Sequence, residues 1–557
     1  MDLNEILFWG AAILTIITIY KMYLSTKLAA ICPREFAVPE NVYRTAFVLI
    51  ALAAVLIRVY QFGRIPGGFN QDGAMAAVDA KALADYGTDR FGMRLPVHLT
   101  AWGYGQMSAL LSYLMTPFIR LAGLSPLTAR LPQLLVSLGG LYCLYLFVRN
   151  AFGKNEALTA FFFGAVNPWH ILQSRWALDC NLYPHFFMMG VYFLHRSLYG
   201  KWRRLRLCIS MVMFGLCMYC YGVSLYTLPV FLLAACVYLL ASGKLPASRA
   251  AMAFFVYLSV AWPFIAVMAI NYFRWETVET SLFTLPFFPD SVRSNDIIFF
   301  SDHIWSQLAD NFRSLLNTTL LQKKDLPWND VEGFGTMYLF SIPFALTGLA
   351  CLLGKQRRKT GSKLVLFFLA AGIWCGLATR NVNINRINII YYPIIILAGI
   401  GIYQVFCWIS LPRLGWGLFA VYSLAFVLFA HTYFTDYAEY INSCFFKDFS
   451  DAVASLKNSD ARKLYITPDC RHEGPSPASE ILTLFWHEID ALYYQGQTVP
   501  PDELPYAEKY TYQLMSDIII DPSEDAAYVI TADDLAYFDS SLYEFTQYGT
   551  YYTVTAK

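Results

Sequence analysis

Two aspartates and three arginines stand where this sequence could do chemistry: Asp72, Asp179, Arg175, Arg380 and Arg386. Asp72 ends the run Ile65-Pro-Gly-Gly-Phe-Asn-Gln-Asp72, in which a proline and two glycines make a turn before a helical stretch to about Tyr86. A carboxylate held there is a candidate general base, because it is ionised at neutral pH and can accept the proton of a poor nucleophile such as a hydroxyl. The plainer reading is that Asp72 or Asn70 caps the helix. Asp179 lies in Asn167-Pro-Trp-His-Ile-Leu-Gln-Ser-Arg175-Trp-Ala-Leu-Asp179. On a helix Arg175 and Asp179 would share a face, either as a salt bridge or with Asp179 turned to a cavity and Arg175 holding an anion. Arg380 and Arg386 sit in Thr379-Arg380-Asn-Val-Asn-Ile-Asn-Arg386-Ile-Asn388. There a guanidinium fork would match the oxygens of a phosphate, and lipid headgroups offer a simpler partner.

The frame that must position these residues is apolar. Of 557 residues 57% are hydrophobic, 17% aromatic and 15% charged, against about 25% charged in a soluble domain. The apolar residues come in uninterrupted runs of membrane-spanning length, which excludes a large soluble enzyme. The chain therefore reads as an α-helical integral membrane protein of about twelve transmembrane helices. Windows fall near 6–24, 45–60, 126–148, 156–172, 184–200, 207–222, 225–241, 250–271, 334–353, 364–379, 389–408 and 413–431. The first is expected to remain as an uncleaved span, since a signal peptide would want a basic start and a small-residue cleavage site.

Basic residues cluster in the short loops 201–206, 355–359 and 149–154, which places those loops in the cytoplasm. Alternation then puts 61–125, 173–183, 272–333, 380–388 and everything after 432 on the outer face, so all five candidate residues share one side. Two arginines in a short outer loop run against the positive-inside tendency and ask for a local anion. In the first outer loop, Ser108 to Leu121 is expected to be a helix lying along the interface. In the long loop 272–333, an amphipathic stretch from Ser301 to Leu321 precedes Lys323-Lys-Asp-Leu-Pro-Trp-Asn-Asp330, which suggests a lid.

The chain divides into residues 1–432, the membrane part, and 444–557, a small acidic α/β domain. The second part carries 19 acidic and 7 basic side chains, a net of −12 in a chain whose total is +1, so phosphate-rich nucleic acid is excluded as its partner. Its pattern predicts helices at 448–456 and 479–494 and strands at 463–467, 527–531 and 546–554. Cys444 and Cys470 lie where a disulfide is chemically permitted. Cys217-x-x-Cys220 falls within a span without further ligands, and His487-Glu-Ile-Asp lacks the second histidine of a zinc protease.

Four stretches in this order resemble the C superfamily of membrane glycosyltransferases, in particular the bacterial protein O-mannosyltransferases and the lipid A aminoarabinose transferase. They are Gly-Phe-Asn-Gln-Asp72, Leu114 to Leu131 with Gly-Leu-Ser-Pro-Leu-Thr-Ala-Arg-Leu-Pro, Asn167-Pro-Trp-His through Asp179, and Asn385-Arg386 leading to Tyr391-Tyr-Pro. The resemblance implies transfer of a hexose or pentose from a polyprenyl-phosphate carrier to a protein, lipid or cell-envelope glycan, at the outer face of the plasma membrane. It implies that Asp72 and Asp179 are catalytic and that Arg386, Arg380 or Arg175 binds the donor phosphate. Relatives often carry an acidic pair in the first loop, whereas here Gly73 follows Asp72; a second acid would come from Asp79, Asp85 or Asp179. That departure leaves a divalent metal open as a cofactor. Direct displacement at the anomeric carbon would invert it. Two other classes compete. A transporter or flippase would favour matching halves and broken midplane helices; the sequence shows no matching halves and its acids cluster outside instead, and an inactive scaffold would account for Gly73.

Overall fold

The computed structural model of this chain describes residues 3–27, 32–34, 36, 38–103, 105–289, 298, 303–323 and 325–557. The first helices are α1 (Leu3–Leu24), α2 (Glu40–Val59) and α3 (Gln71–Tyr86), followed by a ribbon of β1 (His98–Thr100) and β2 (Gln106–Ser108). Then come α4 (Leu110–Ala122), α5 (Pro126–Ala151), α6 (Lys154–Val166), α7 (Pro168–Gln173), α8 (Asp179–Ser197), α9 (Arg203–Cys217), α10 (Ser224–Ala241) and α11 (Ala247–Phe273). After a short hairpin, β3 (Val278–Glu279) with β4 (Thr284–Leu285), the bundle continues through α12 (Ile304–Thr319), α13 (Ile342–Leu353), α14 (Thr360–Ala378), α15 (Ile384–Ile387), α16 (Tyr391–Ile409) and α17 (Pro412–Phe434).

Eight helical stretches among the described residues are long and apolar enough to cross a membrane: α1, α2, α5, α10, α11, α14, α15 with α16, and α17. The twelve windows expected from sequence all carry helix, but four fall short of that test, each for a local reason. The window 156–172 is broken at Asn167-Pro168, where a residue before proline avoids the α conformation. Helix α9 stops at Cys217 in a turn, and α13 begins only at Ile342. Helix α8 is long enough but carries Asp179, Asn181, His185, His195 and Arg196.

Helix α16 is the centre of the bundle, with 78% of its apolar stretch buried against 11% for α17. It packs on α13 and α6, while α5 and α8 pack together and α1 lies on α13, where Thr347 donates to Thr15 at 3.0 Å. Helix α5 starts at a capping box, with Ser125 and Thr128 satisfying each other's backbone donors and Pro126 at the first helical position. Helix α4 is a separate 13-residue apolar helix packed against α3 and α5.

The C-terminal part continues from α17 through α18 (Asp436–Cys444) and α19 (Lys447–Ser455) into β5 (Lys463–Ile466), α20 (Ala478–Trp486), α21 (Ala491–Tyr494), α22 (Tyr506–Lys509), β6 (Tyr510–Tyr512), β7 (Ala526–Thr531), β8 (Tyr543–Tyr548) and β9 (Tyr551–Ala556). Its five-stranded sheet has the order β6-β5-β7-β9-β8, with β5 parallel to both neighbours and the β7, β9 and β8 pairings antiparallel. The strand expected at 546–554 is a hairpin turning at Gly549, and β6 was not anticipated. The helix expected at 479–494 is two, divided where Asp490 caps α21. Cys444 and Cys470 are both free thiols, as are Cys217 and Cys220.

Candidate active site

The turn before α3 is gripped from two directions. Arg130 of α5 donates to Pro66 O at 3.0 Å and Gly68 O at 2.6 Å and lies over the Phe69 ring. From the C-terminal part, Phe485 stacks on Phe69 with centroids 4.5 Å apart. Gly68 lets that part close in, since a Cβ there would stand 1.9 Å from Phe445 O. Asn70 then caps α3, its Oδ1 accepting the Asp72 backbone N–H at 2.9 Å. The cap is therefore Asn70, and the carboxylate of Asp72 is committed elsewhere: it accepts the indole N–H of Trp102 at 2.6 Å.

Gly73, which stands in place of a second acid, is in van der Waals contact with the segment leading to Asp179. A Cβ at position 73 would lie 2.6 Å from Ala177 O and 3.1 Å from the Phe69 ring. This close approach brings the start of α3 against the start of α8. Asp72 and Asp179, more than a hundred residues apart in sequence, consequently line one cavity of about 100 Å³, together with Asn70, Gln71, Leu178, Cys180, Tyr221, Trp328 and Asn385. Asp179 is 5% exposed and accepts the Cys180 N–H at 2.7 Å. Of the other acids weighed as a partner for Asp72, Asp79 pairs with Arg90 at 2.6 Å and Asp85 with Lys81 at 2.6 Å. Asp179 is the one that shares the cavity.

Asn385 belongs to α15 and so brings the arginine loop to the same place. Its Oδ1 is buried without a partner, as is the indole nitrogen of Trp328 across the cavity. The loop is fixed to the second stretch by Asn388, which accepts from Trp169 Nε1 at 3.1 Å and donates to Cys180 O at 3.3 Å, and by Tyr391, stacked on Trp169 at 4.9 Å. Arg386 donates to Arg380 O within the loop, and Arg380 keeps a buried Nε with no partner in the protein. Asp325 ties the neighbouring segment to this loop, accepting from Ile384 N at 2.7 Å and Asn329 Nδ2 at 3.0 Å. Burial pushes its carboxyl above the usual range, and those hydrogen bonds oppose the rise. Lys323 is described and exposed; Lys324 lies outside the described residues.

Arg175 does not belong with the phosphate candidates. It is fully buried, its Nε donating to Tyr433 at 2.7 Å and its terminal nitrogens to the carbonyls of Ile57, Arg58, Tyr60 and Gln61 at 2.8 to 3.3 Å. The first three are carbonyls at the end of α2, which the guanidinium closes, while Gln61 O also accepts the Arg64 and Ile65 N–H groups. Residues 174–178 form a turn, so Arg175 and Asp179 share no helical face. Trp102, Trp328, Tyr221 and Asn385 were not anticipated as site residues. Trp102 had a signal, an aromatic side chain in the glycine-flanked loop Ala-Trp-Gly-Tyr-Gly. Among the described residues no group of three or more His, Cys, Asp and Glu could hold a metal ion, so the two carboxylates offer an incomplete ligand set.

Residues 107–270 match the family model described as dolichyl-phosphate-mannose-protein mannosyltransferase. No curated protein matches the sequence. Among solved structures, apo ArnT from Cupriavidus metallidurans aligns over 92% of this chain and 98% of its own at 12% identity and a TM-score of 0.55. The same protein bound to undecaprenyl phosphate aligns over 93% and 98% at 12% identity and 0.56. Residues 107–270 are thus similar to the protein-mannosyltransferase family, and the chain shares the fold of ArnT, a membrane protein, along most of its length.

Proposed function

We propose that the chain transfers a sugar from a polyprenyl-phosphate carrier to an acceptor hydroxyl on the extracytoplasmic face of the plasma membrane, inverting the anomeric carbon. The observation that carries this reading is the convergence of Asp72, Asp179 and the arginine-bearing loop on one cavity. Asp72 takes the proton of the acceptor hydroxyl as its oxygen bonds to the anomeric carbon. The bond from that carbon to the phosphate oxygen breaks, and the polyprenyl phosphate leaves with the electron pair. Arg380 and Arg386 stabilise the charge gathering on the phosphate, where exclusion of water strengthens each donor. Asp179, at the positive end of α8, orients the acceptor by accepting a second hydroxyl.

The cavity is smaller than the roughly 300–1,000 Å³ clefts that bury small ligands, so substrate entry requires one wall to move. That wall is the segment carrying Trp328, the lid over the site. The four remaining stretches, α6 with α7, α8, α9 and α13, complete a membrane domain of twelve crossings, and residues 444–557 form a separate outer domain that borders the acceptor. The likeness in fold to a protein solved with undecaprenyl phosphate supports a donor of this class.

The test is release of polyprenyl phosphate by the purified full chain from a panel of polyprenyl-phosphate hexoses and pentoses, with envelope extract as acceptor. Asp72→Asn should lower turnover at least a hundredfold, in the range of lost general-base catalysis, about 10² to 10⁴, while the protein melts as the wild type. Because Asn70 makes the cap, folding gives Asp72→Asn no reason to fail. Full activity in that variant would overturn the proposal.

A further inference from the structure

Trp102 reaches Asp72 from a separate element, the turn between β1 and β2. That ribbon has three residues in each strand, and its tip is closed by one backbone bond, Ala101 N–H to Gly105 O at 3.1 Å, so it needs a further anchor. Arg90 holds it. One terminal nitrogen of Arg90 donates to Thr100 O at 2.8 Å and Ala101 O at 3.3 Å. The other donates to Asp79 Oδ2 at 2.6 Å, and the Arg90 backbone N–H donates to Asp79 Oδ1 at 3.1 Å. Asp79 is 0% and Arg90 2% exposed, so both charges have been taken out of water. A buried ion pair is poor at stabilising a fold, because desolvation offsets most of the attraction. This pair aims its remaining donors at the segment carrying Trp102.

The C-terminal part holds the same segment from the other side. Gln495 donates to Arg90 O at 3.0 Å, and Gly103 lies so close to Pro477 that a Cβ there would stand 2.6 Å from its Cγ. We propose that Arg90, anchored by Asp79, is a positioning residue for the reaction: it fixes the Thr100–Ala101 backbone and so sets the Trp102 indole on Asp72. This rests on the reading of Asp72 as the base. An indole N–H on one carboxylate oxygen fixes the plane of the carboxyl group and favours its ionised form, so the base is aimed and kept ready. Among the described residues, Asp179, Cys180 and Tyr221 are titratable side chains lining the cavity with Asp72, and Arg471 reaches Gln71 at 3.3 Å; Arg90 has Asp79, Asp89 and Tyr494 about it.

Two readouts test this, the first independent of any donor. In the full chain carrying 5-fluorotryptophan, the fluorine resonance of Trp102, assigned by its loss in Trp102→Phe, should titrate with pH, and Asp72→Asn should abolish that titration. Arg90→Lys keeps a cation for Asp79 but cannot reach both carbonyls, and it should move the midpoint upward by about one pH unit. On the donor giving turnover, Trp102→Phe should lower kcat about tenfold and raise the acid limb of its pH profile, with the donor KM unchanged. Arg90→Lys should do the same and add nothing in the Trp102→Phe background. A Trp102 resonance indifferent to Arg90→Lys, or effects that multiply in the double variant, would overturn the proposal. If Arg90→Lys does not fold, Trp102→Phe decides, with wild-type kcat and an unshifted acid limb counting against the proposal. An active Asp72→Asn would sink the base assignment itself, whereas an inactive one beside an unshifted Trp102→Phe would sink only the positioning role.

Discussion

Arg58, Arg130 and Arg175, each at most 1% exposed, differ from Arg380 and Arg386 in what they face. Arg58 donates to the carbonyls of Ala54, Gly164 and Ala165 and to His170, Arg130 to those of Pro66 and Gly68, and Arg175 to four carbonyls at the end of α2. These three are sealed by burial, their terminal nitrogens on main chain or side chains of the fold, while the Nε of Arg58 and that of Arg130 lie buried without a partner. The loop pair is half-exposed, on the loop whose Asn385 reaches the cavity lined by two aspartates. Charge is costly anywhere in an apolar chain, so its presence alone does not distinguish structure from function. The distinction lies in whether the donors are closed within the fold.

The sharpest way to break this comparison is to remove a sealed arginine. Arg175→Ala would leave several buried carbonyls and the Tyr433 hydroxyl without a donor, at about 1–3 kcal/mol each. The loss should exceed about 3 kcal/mol, seen as a large fall in melting temperature of the detergent-purified chain, and Arg175→Lys should not restore it because an ammonium cannot span the same carbonyls. A variant that melts as the wild type but has lost turnover would return Arg175 to the site.

Removing a loop arginine should show the opposite pattern. Arg386→Ala is expected to lower turnover by the worth of one charge-assisted hydrogen bond, about 1.5–3 kcal/mol or roughly 10- to 150-fold, with melting unchanged. Arg386→Lys keeps the charge without the fork and should fall between. Wild-type turnover in Arg386→Ala would move the phosphate to Arg380.

The sequence made the two aspartates legible as candidates because each follows a recognisable turn or stretch at the mouth of a span. What it concealed was contact. Arg175 sits in a stretch that resembles the family and is spaced for an i,i+4 pair, but the turn at 174–178 sends it to α2, which local spacing cannot reveal. Gly73 read as a missing acid, whereas in three dimensions it is the close approach that brings Asp72 to Asp179. Gly73→Ala should therefore press α3 away from Ala177, costing about 1–3 kcal/mol through overpacking, and reduce turnover while leaving both carboxylates in place. Unchanged melting and turnover would mean that the contact yields easily. Four of the twelve windows hide local structure for a related reason, since hydropathy windows pass over the Asn167-Pro168 break and the polar residues of α8.

The smallest effect concerns a sealed group in the C-terminal part. His487 stood out in sequence only as half of a zinc motif; in the fold its Nε2–H donates to Val453 O at 2.8 Å and its Nδ1 accepts from Tyr510 at 3.1 Å. Burial holds it down to about 4, with Lys509 and Lys457 adding to the effect and the Val453 hydrogen bond opposing it. Its ordinary value is about 6.5. Below that value the unfolded chain takes up a proton that the folded one refuses, so stability is whole above about pH 6.5 and falls as the pH drops toward 4. Between pH 7 and pH 5 the cost from this residue is about 2 kcal/mol at most. His487→Gln retains a donor for Val453 without a titrating ring, so its melting should depend less on pH over that interval than the wild type. Equal pH dependence in the two proteins would mean that the ring is not sealed, and that this histidine belongs with the groups open to exchange.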